Sequence, residues 1–115
     1  MSEASCVFCK IVRGEIDATL LHRDDGLVAF RDLSPKAPFH ALVVPTRHLE
    51  TLDELEEGDA DLVGRMLLRG SALAREQGLT GGYRLVLNCG PDGGQSVFHV
   101  HLHVLGGRRM TWPPG

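Results

Sequence analysis

Histidines occupy positions 99, 101 and 103 in the run Phe98-His99-Val100-His101-Leu102-His103-Val104, so half of the six histidines in the chain fall within five residues. Side chains at i, i+2 and i+4 of a β-strand share a face. The spacing therefore predicts a strand with a row of imidazoles on one side, each about 6.6 Å from the next. Phe98, Val100, Leu102 and Val104 then turn toward a core on the other side. Imidazole titrates near neutral pH and suits proton transfer, nucleophilic attack and metal ligation. Along one strand the three rings span about 13 Å, too far for all of them to reach one zinc ion at about 2 Å. His101, in the middle, therefore reads as a reactive group rather than a co-ligand. Neutral imidazole attacks phosphorus well, and a neighbouring carbonyl can fix its Nδ1–H and leave Nε2 free.

The segment that delivers the chain into this row is Gly90-Pro91-Asp92-Gly93-Gly94-Gln95-Ser96. Backbone N–H groups exposed by glycines can form a concavity for anions. Ser96 can add a hydroxyl and Asn88 an amide, and donors around imidazoles suggest a phosphate site. No Gly-Lys-Ser/Thr follows, so this is not a Walker A loop. A second group is Cys6-Val7-Phe8-Cys9. A redox Cys-x-x-Cys needs a βαβ context that is absent here. Two unrelated thiols and a structural zinc site remain open, the latter requiring two further ligands.

The elements that must position these groups are legible in outline. Phe8 to Val12 reads as a short helix, opened by Ser5 as a cap and ended by Gly14. Leu20 to His22 and Leu27 to Arg31 read as strands around the Asp24-Asp25-Gly26 turn. Ala41 to Val44 is a continuously apolar strand that Pro45 ends. Asp59 to Gln77 is a long helix, with Asp59 as N-cap and Gly78 just past its end. Leu62, Val63, Met66, Leu67, Leu73 and Ala74 make its apolar stripe. Gly70 falls on that stripe and costs roughly 1 kcal/mol against alanine, which implies close approach of another backbone. Tyr83 to Asn88 is a strand, joined by an eight-residue loop, Cys89 to Ser96, to the histidine strand. Five strands with one long and one short helix indicate an α+β fold with a mainly antiparallel sheet.

The chain has 115 residues, which fits one domain over 1–115. A formal charge of −3 gives no footprint for general nucleic-acid binding. No apolar run approaches membrane-spanning length. Three cysteines are an odd count, and Met1 to Ser5 lacks a signal-peptide pattern, so the expectation is a cytoplasmic protein with reduced thiols.

Several segments together resemble one family. They are Phe8-Cys9-Lys10-Ile11, Ala29 to Pro35, His40 to Pro45, Gly82 to Asn88, Asp92 to Arg108, and the ending Trp112-Pro113-Pro114-Gly115. Together they resemble the histidine-triad (HIT) superfamily, and within it the Hint branch of nucleoside phosphoramidate hydrolases. The triad followed by Leu-Gly-Gly-Arg, and the Trp-Pro-Pro-Gly end, carry most of the specificity. The resemblance implies a HIT-like fold whose sheet extends across a homodimer. It implies hydrolysis of the P–N bond of purine nucleoside 5′-phosphoramidates through a covalent nucleotidyl-histidine. His101 would be the nucleophile, with His103, Ser96 and His40 assisting. Asn88, Gly94, Ser96, Val97 and His103 would surround the phosphate. Asp32 would hold the ribose hydroxyls, and Phe8, Ile11, Phe30 and Leu33 the base. Trp112 would reach the partner's site. Asp32 also has a plain reading as the turn residue before Ser34-Pro35.

Hint hydrolases generally lack the cysteine pair. Other bacterial HIT proteins that this sequence resembles carry it and bind zinc with two histidines, which implies a structural zinc on Cys6, Cys9, His48 and His99. Two further activities stand beside the first: a dinucleoside polyphosphate hydrolase or nucleotidyltransferase of the same superfamily, and a non-enzymatic nucleotide-binding regulator.

Overall fold

A computed structural model describes residues 3–115. Its sheet has five strands: β1 (Leu20–Arg23), β2 (Leu27–Arg31), β3 (Phe39–Pro45), β4 (Tyr83–Leu87) and β5 (Leu102–Gly106). They lie in the order β1-β2-β3-β5-β4 and every neighbouring pair is antiparallel. α1 (Val7–Val12) packs on one face and α2 (Ala60–Glu76) on the other. β3 is buried at all seven positions because both its faces are covered. Phe39, Ala41 and Val43 join the cluster under α2, while Leu42 and Val44 join the cluster under α1. A strand covered on both faces carries a continuous apolar run rather than an alternating one. Among the described residues no helix is long and apolar enough to cross a membrane.

The histidine row differs from the strand predicted for it. The ladder of β5 begins only at Leu102, so residues 88–101 connect β4 to β5 and carry His99 and His101. The predicted hairpin is there, but its connection is longer than Cys89 to Ser96. The cause is the end of β3. Beyond Pro45 the backbone partner is a loop, where the Val100 N–H donates to the Leu49 carbonyl at 2.7 Å. The alternation survives without a ladder, because it belongs to extended backbone. Val100, Leu102 and Val104 enter the core under α2 while the histidines face the opposite way. Phe98, expected in that core, is half-buried and belongs to neither apolar cluster.

The helix caps also differ in detail. Cys6, not Ser5, caps α1: its Sγ accepts from the Cys9 N–H at 3.3 Å. Ser5 sits in a preceding 3-10 turn, Glu3–Ser5. Asp59 precedes α2 but makes no side-chain cap, since its carboxylate accepts from Arg47 and from the Glu56 N–H, each at 2.9 Å. Gly78 follows α2 with φ +74°, as the helix-end reading required.

Gly70 has a specific cause, and it is not another backbone. A Cβ there would sit 2.9 Å from Leu102 Cδ2, 3.2 Å from Val104 Cγ2 and 3.3 Å from Leu85 Cδ2. The glycine lets α2 settle onto β4 and β5. Gly64, on the same helix, has nothing within 4 Å of such a Cβ. The two positions should therefore respond to alanine with opposite signs in urea unfolding. Gly64→Ala gains helix propensity, about 0.5–1 kcal/mol. Gly70→Ala loses about 1 kcal/mol net, because overpacking outweighs that gain. Equal stabilisation at both sites would contradict the packing account.

Candidate active site and metal cluster

The face of β2, β3 and β5 on the α1 side, together with α1, encloses a cavity of about 270 Å³. Phe8, Ile11 and Phe30 form its apolar wall, Asp32 and Leu33 one rim, Ser96 and Val97 the other, and His101 and His103 face into it. Phe8 stands edge-on to Phe30 with centroids 5.5 Å apart and edge-on to His101 at 5.0 Å, so α1 is at once a pocket wall and a support for the central histidine. A more open depression of about 640 Å³ lies between the turn after α2 and Gly107–Arg109. It is lined by no histidine, cysteine or carboxylate, so it offers no comparable chemistry.

His101 is buried, and its Nδ1 lies 2.7 Å from the His99 carbonyl. A carbonyl only accepts, so Nδ1 carries the proton and donates, and Nε2 keeps its lone pair. Burial pulls the pKa of His101 below that of a free histidine, against the opposing pull of the His99 carbonyl, and so favours the neutral ring.

Behind the pocket a second histidine pair forms a chain. The Lys36 backbone N–H donates to His40 Nδ1 at 3.0 Å, and His40 Nε2 lies 2.9 Å from His103 Nδ1. Asp32 Oδ2 is 3.5 Å from the same Nε2. The other Asp32 oxygen accepts from the Ser34 N–H at 2.8 Å. Asp32 therefore fills its turn role with one oxygen and faces the pocket with the rest of its carboxylate. Burial depresses both rings, His103 to about 4.

Cys6, Cys9, His48 and His99 bring four donor atoms within 4.8 Å of one another. His99 donates its Nε2–H to the Pro45 carbonyl at 2.8 Å, which leaves a lone pair on Nδ1. That Nδ1 is 3.3 Å from Cys6 Sγ, 3.5 Å from Cys9 Sγ and 3.3 Å from His48 Nδ1, while Cys9 Sγ and His48 Nδ1 are 3.2 Å apart. Tetrahedral zinc with ordinary bond lengths requires donor separations of about 3.4 Å for N···N and about 3.6 Å for N···S. Two thiols and an inward lone pair at these spacings fit a tetrahedral ion. Burial first, then the adjoining Cys6, pushes the Cys9 thiol up to about 11, so this sulfur ionises readily only beside a cation. Asp32, His40 and His103 also cluster within 4.8 Å. There the Lys36 N–H forces the proton of neutral His40 onto Nε2, between the two rings, so this group is built for hydrogen bonding rather than metal.

Not every predicted site residue comes to the pocket. Phe8, Ile11, Phe30, Asp32, Leu33, Ser96, Val97, His101 and His103 line it, and His40 stands behind His103. Asn88, Gly94 and Trp112 do not line it. Trp112 is 84% exposed. The expected concavity of glycine amides is absent. The N–H groups of Gly93, Gly94 and Gln95 donate to the carbonyls of Gly90, Pro91 and Gly90, closing the loop on itself. Gln95, which sequence reasoning passed over, completes that closure. It is buried, accepts from the Gly90 N–H at 2.9 Å, and donates to the Glu50 and Val97 carbonyls at 2.6 and 3.1 Å. Its only signal was a polar residue between glycines and the apolar Val97-Phe98.

The sequence matches the model of a family described as "Scavenger mRNA decapping enzyme C-term binding" over residues 5–111. The fold superposes on a HIT family hydrolase from Legionella pneumophila Philadelphia 1 with a TM-score of 0.94. The two are 49% identical, and the match covers 96% of this chain and 100% of that one. The chain belongs to the histidine-triad family. Other HIT relatives include an adenylylsulfatase HINT1 from Arabidopsis thaliana, 43% identical over 116 residues that span 99% of this chain and 79% of that protein. A 14 kDa zinc-binding protein from Brassica juncea is 44% identical over 111 residues, 95% of this chain and 98% of that one.

The depressed histidines make the stability of this HIT domain depend on pH with a definite sign. A ring that is harder to protonate when folded lets the unfolded chain bind more protons, so stability rises with pH across that interval. For His103 the contribution is complete above 6.5 and is lost as pH falls toward about 4. The urea midpoint should hold near pH 7 and fall across this window. His103→Gln should flatten the fall, and an unchanged slope in that variant would remove His103 from the account.

Proposed function

We propose that the chain is a nucleoside 5′-phosphoramidate hydrolase in which His101 is the nucleophile. One observation carries this reading: the hydrogen bond from His101 Nδ1 to the His99 carbonyl leaves a bare Nε2 in a pocket that also presents Asp32 and an apolar wall. Phe8, Ile11, Phe30 and Leu33 would take the purine, Asp32 the ribose hydroxyls, and Ser96, Val97 and His103 the phosphate. Nε2 attacks the α-phosphorus, an Nε2–P bond forms and the P–N bond breaks. The departing amine takes a proton from Ser96 or His103. The nucleotidylated ring still carries its Nδ1–H and is cationic, so its bond to the His99 carbonyl strengthens as charge develops. Water then attacks phosphorus, gives up its proton to the same relay, and releases the mononucleotide and His101. His40 supports His103 throughout.

Attack at the α-phosphorus is indifferent to whether the leaving atom is an amine nitrogen or another group. The relative whose name is adenylylsulfatase favours an adenylyl group on the attacked side and gives a specific second substrate, adenylyl sulfate, to compare. With adenosine 5′-phosphoramidate, the wild type should release ammonia, and His101→Ala should lose about 10³-fold or more in kcat/KM. Nucleotide binding without release above that mutant would favour a regulator. Faster turnover of adenylyl sulfate, or of a dinucleoside polyphosphate, would move the activity to that class.

Cys6, Cys9, His48 and His99 would hold a structural zinc, which the donor spacing and the zinc-binding relative support. When bound, it would join α1 to the segments after β3 and before β5 and fill its coordination with protein atoms, so it would take no part in the chemistry. The sheet has an unpaired edge at β4, and Trp112 stands clear of its own pocket. Both support a homodimer in which this tail completes the neighbouring site. Native mass spectrometry should give twice the chain mass plus two zinc ions. A monomer would end the dimer reading, and metal-free protein with both thiols freely titratable would end the zinc reading.

A further inference from the structure

The Leu-Gly-Gly-Arg segment after the triad has no part in the pocket, yet it grips the loop between β2 and β3. Gly107, with φ +93°, lies so near that loop that a Cβ on it would sit 2.8 Å from Pro38 Cβ. Arg108 Nη2 donates to the Lys36 carbonyl at 3.1 Å. Lys36 Nζ in turn donates to the Ser34 carbonyl at 2.8 Å. The loop is thus held from both sides, and it presents the Lys36 N–H to His40, 3.0 Å from Nδ1.

That N–H has only one polarity. His40 Nδ1 must accept from it, so the single proton of neutral His40 lies on Nε2. The 2.9 Å contact then makes His103 Nδ1 the acceptor, and the single proton of neutral His103 must lie on its Nε2. Asp32 Oδ2, 3.5 Å from His40 Nε2, favours the same arrangement. The opposite arrangement would put the Nδ1–H of His40 against a backbone N–H and turn a lone pair of His103 toward a phosphate.

We infer that Lys36, through its backbone N–H, and Arg108, through the Lys36 carbonyl, are positioning residues that make His103 an Nε2–H donor toward the phosphoryl group. The inference rests on the proposed hydrolase reading and deepens it, since it names His103 Nε2–H as the proton that Ser96 or His103 was to supply. Burial keeps both rings neutral, so the direction of the chain holds at neutral pH. It also gives Gly107 and Arg108 a reason to sit beside a site they never touch.

The resting protein tests the inference without substrate, so a failure here stands apart from a failure of the hydrolase reading. Ring ¹⁵N shifts at pH 7 should show His40 and His103 each with a protonated Nε2 and a bare Nδ1. A protonated Nδ1 on His103 would overturn the proposal at once. Lys36→Pro deletes the donor and should move both rings toward averaged shifts, whereas Lys36→Ala, which keeps the N–H, should retain the native pattern. Arg108→Ala should move the same shifts partway and lower kcat/KM about fivefold, the scale of one lost hydrogen bond. The His101 signals report in each variant that the fold is intact. Native ring shifts in folded Lys36→Pro would contradict the role of Lys36, and native shifts in Arg108→Ala the role of Arg108.

Discussion

A buried neutral imidazole has two nitrogens and one proton, and the whole site depends on where that proton is put. Three backbone groups decide it. The Pro45 carbonyl takes the Nε2–H of His99 and turns its Nδ1 to the cysteines. The His99 carbonyl takes the Nδ1–H of His101 and bares its Nε2. The Lys36 N–H sets His40, and His40 sets His103. Side-chain types bring the rings together, but backbone polarity assigns each a separate task. Burial makes the assignment hold, because every one of these rings is pushed toward its neutral form.

The fold supplies those backbone groups from few places. β3 ends at Pro45 and carries His40, and it pairs with β5 through Leu42 opposite His103. The chain before β5 runs on without a ladder, which leaves the His99 carbonyl free for the His101 ring. α1 closes the arrangement: Cys6 and Cys9 flank Phe8, and Phe8 packs edge-on against both His99 and His101. The proposed zinc cluster and the proposed nucleophile therefore share one helix and one residue, His99, whose ring faces the cysteines while its carbonyl holds His101.

Much of this was legible because it follows local rules. β2 spans Leu27 to Arg31 as predicted, since Asp24-Asp25-Gly26 forces a tight turn ahead of it. The burial of Val100, Leu102 and Val104 opposite the histidines was readable from alternation alone, although the strand that alternation suggested starts only at Leu102. What was missed lies where the decisive atom belongs to the backbone. Nothing in the identity of Lys36 signals that its N–H orients His40, and nothing in Gly93 and Gly94 signals that their amides turn inward on Gly90 and Pro91 rather than toward an anion. Ser5 looked the better helix cap because hydroxyls usually are, and Cys6 took the position with its sulfur. The sequence marks Gly70 as a contact point, but only the packing of α2 shows that the contact is with Leu102, Val104 and Leu85.

The central claim is that His101 Nε2, and no other group in the pocket, forms a bond to phosphorus. Its most direct test is a rapid alkaline denaturing quench of the protein with adenosine 5′-phosphoramidate, followed by peptide mapping of the trapped adduct by mass at neutral to alkaline pH. The account predicts one adenylyl group, acid-labile as a phosphorus–nitrogen bond is, on the peptide bearing His101 and absent from His101→Ala. An adduct on Ser96, His103 or any other residue would contradict it.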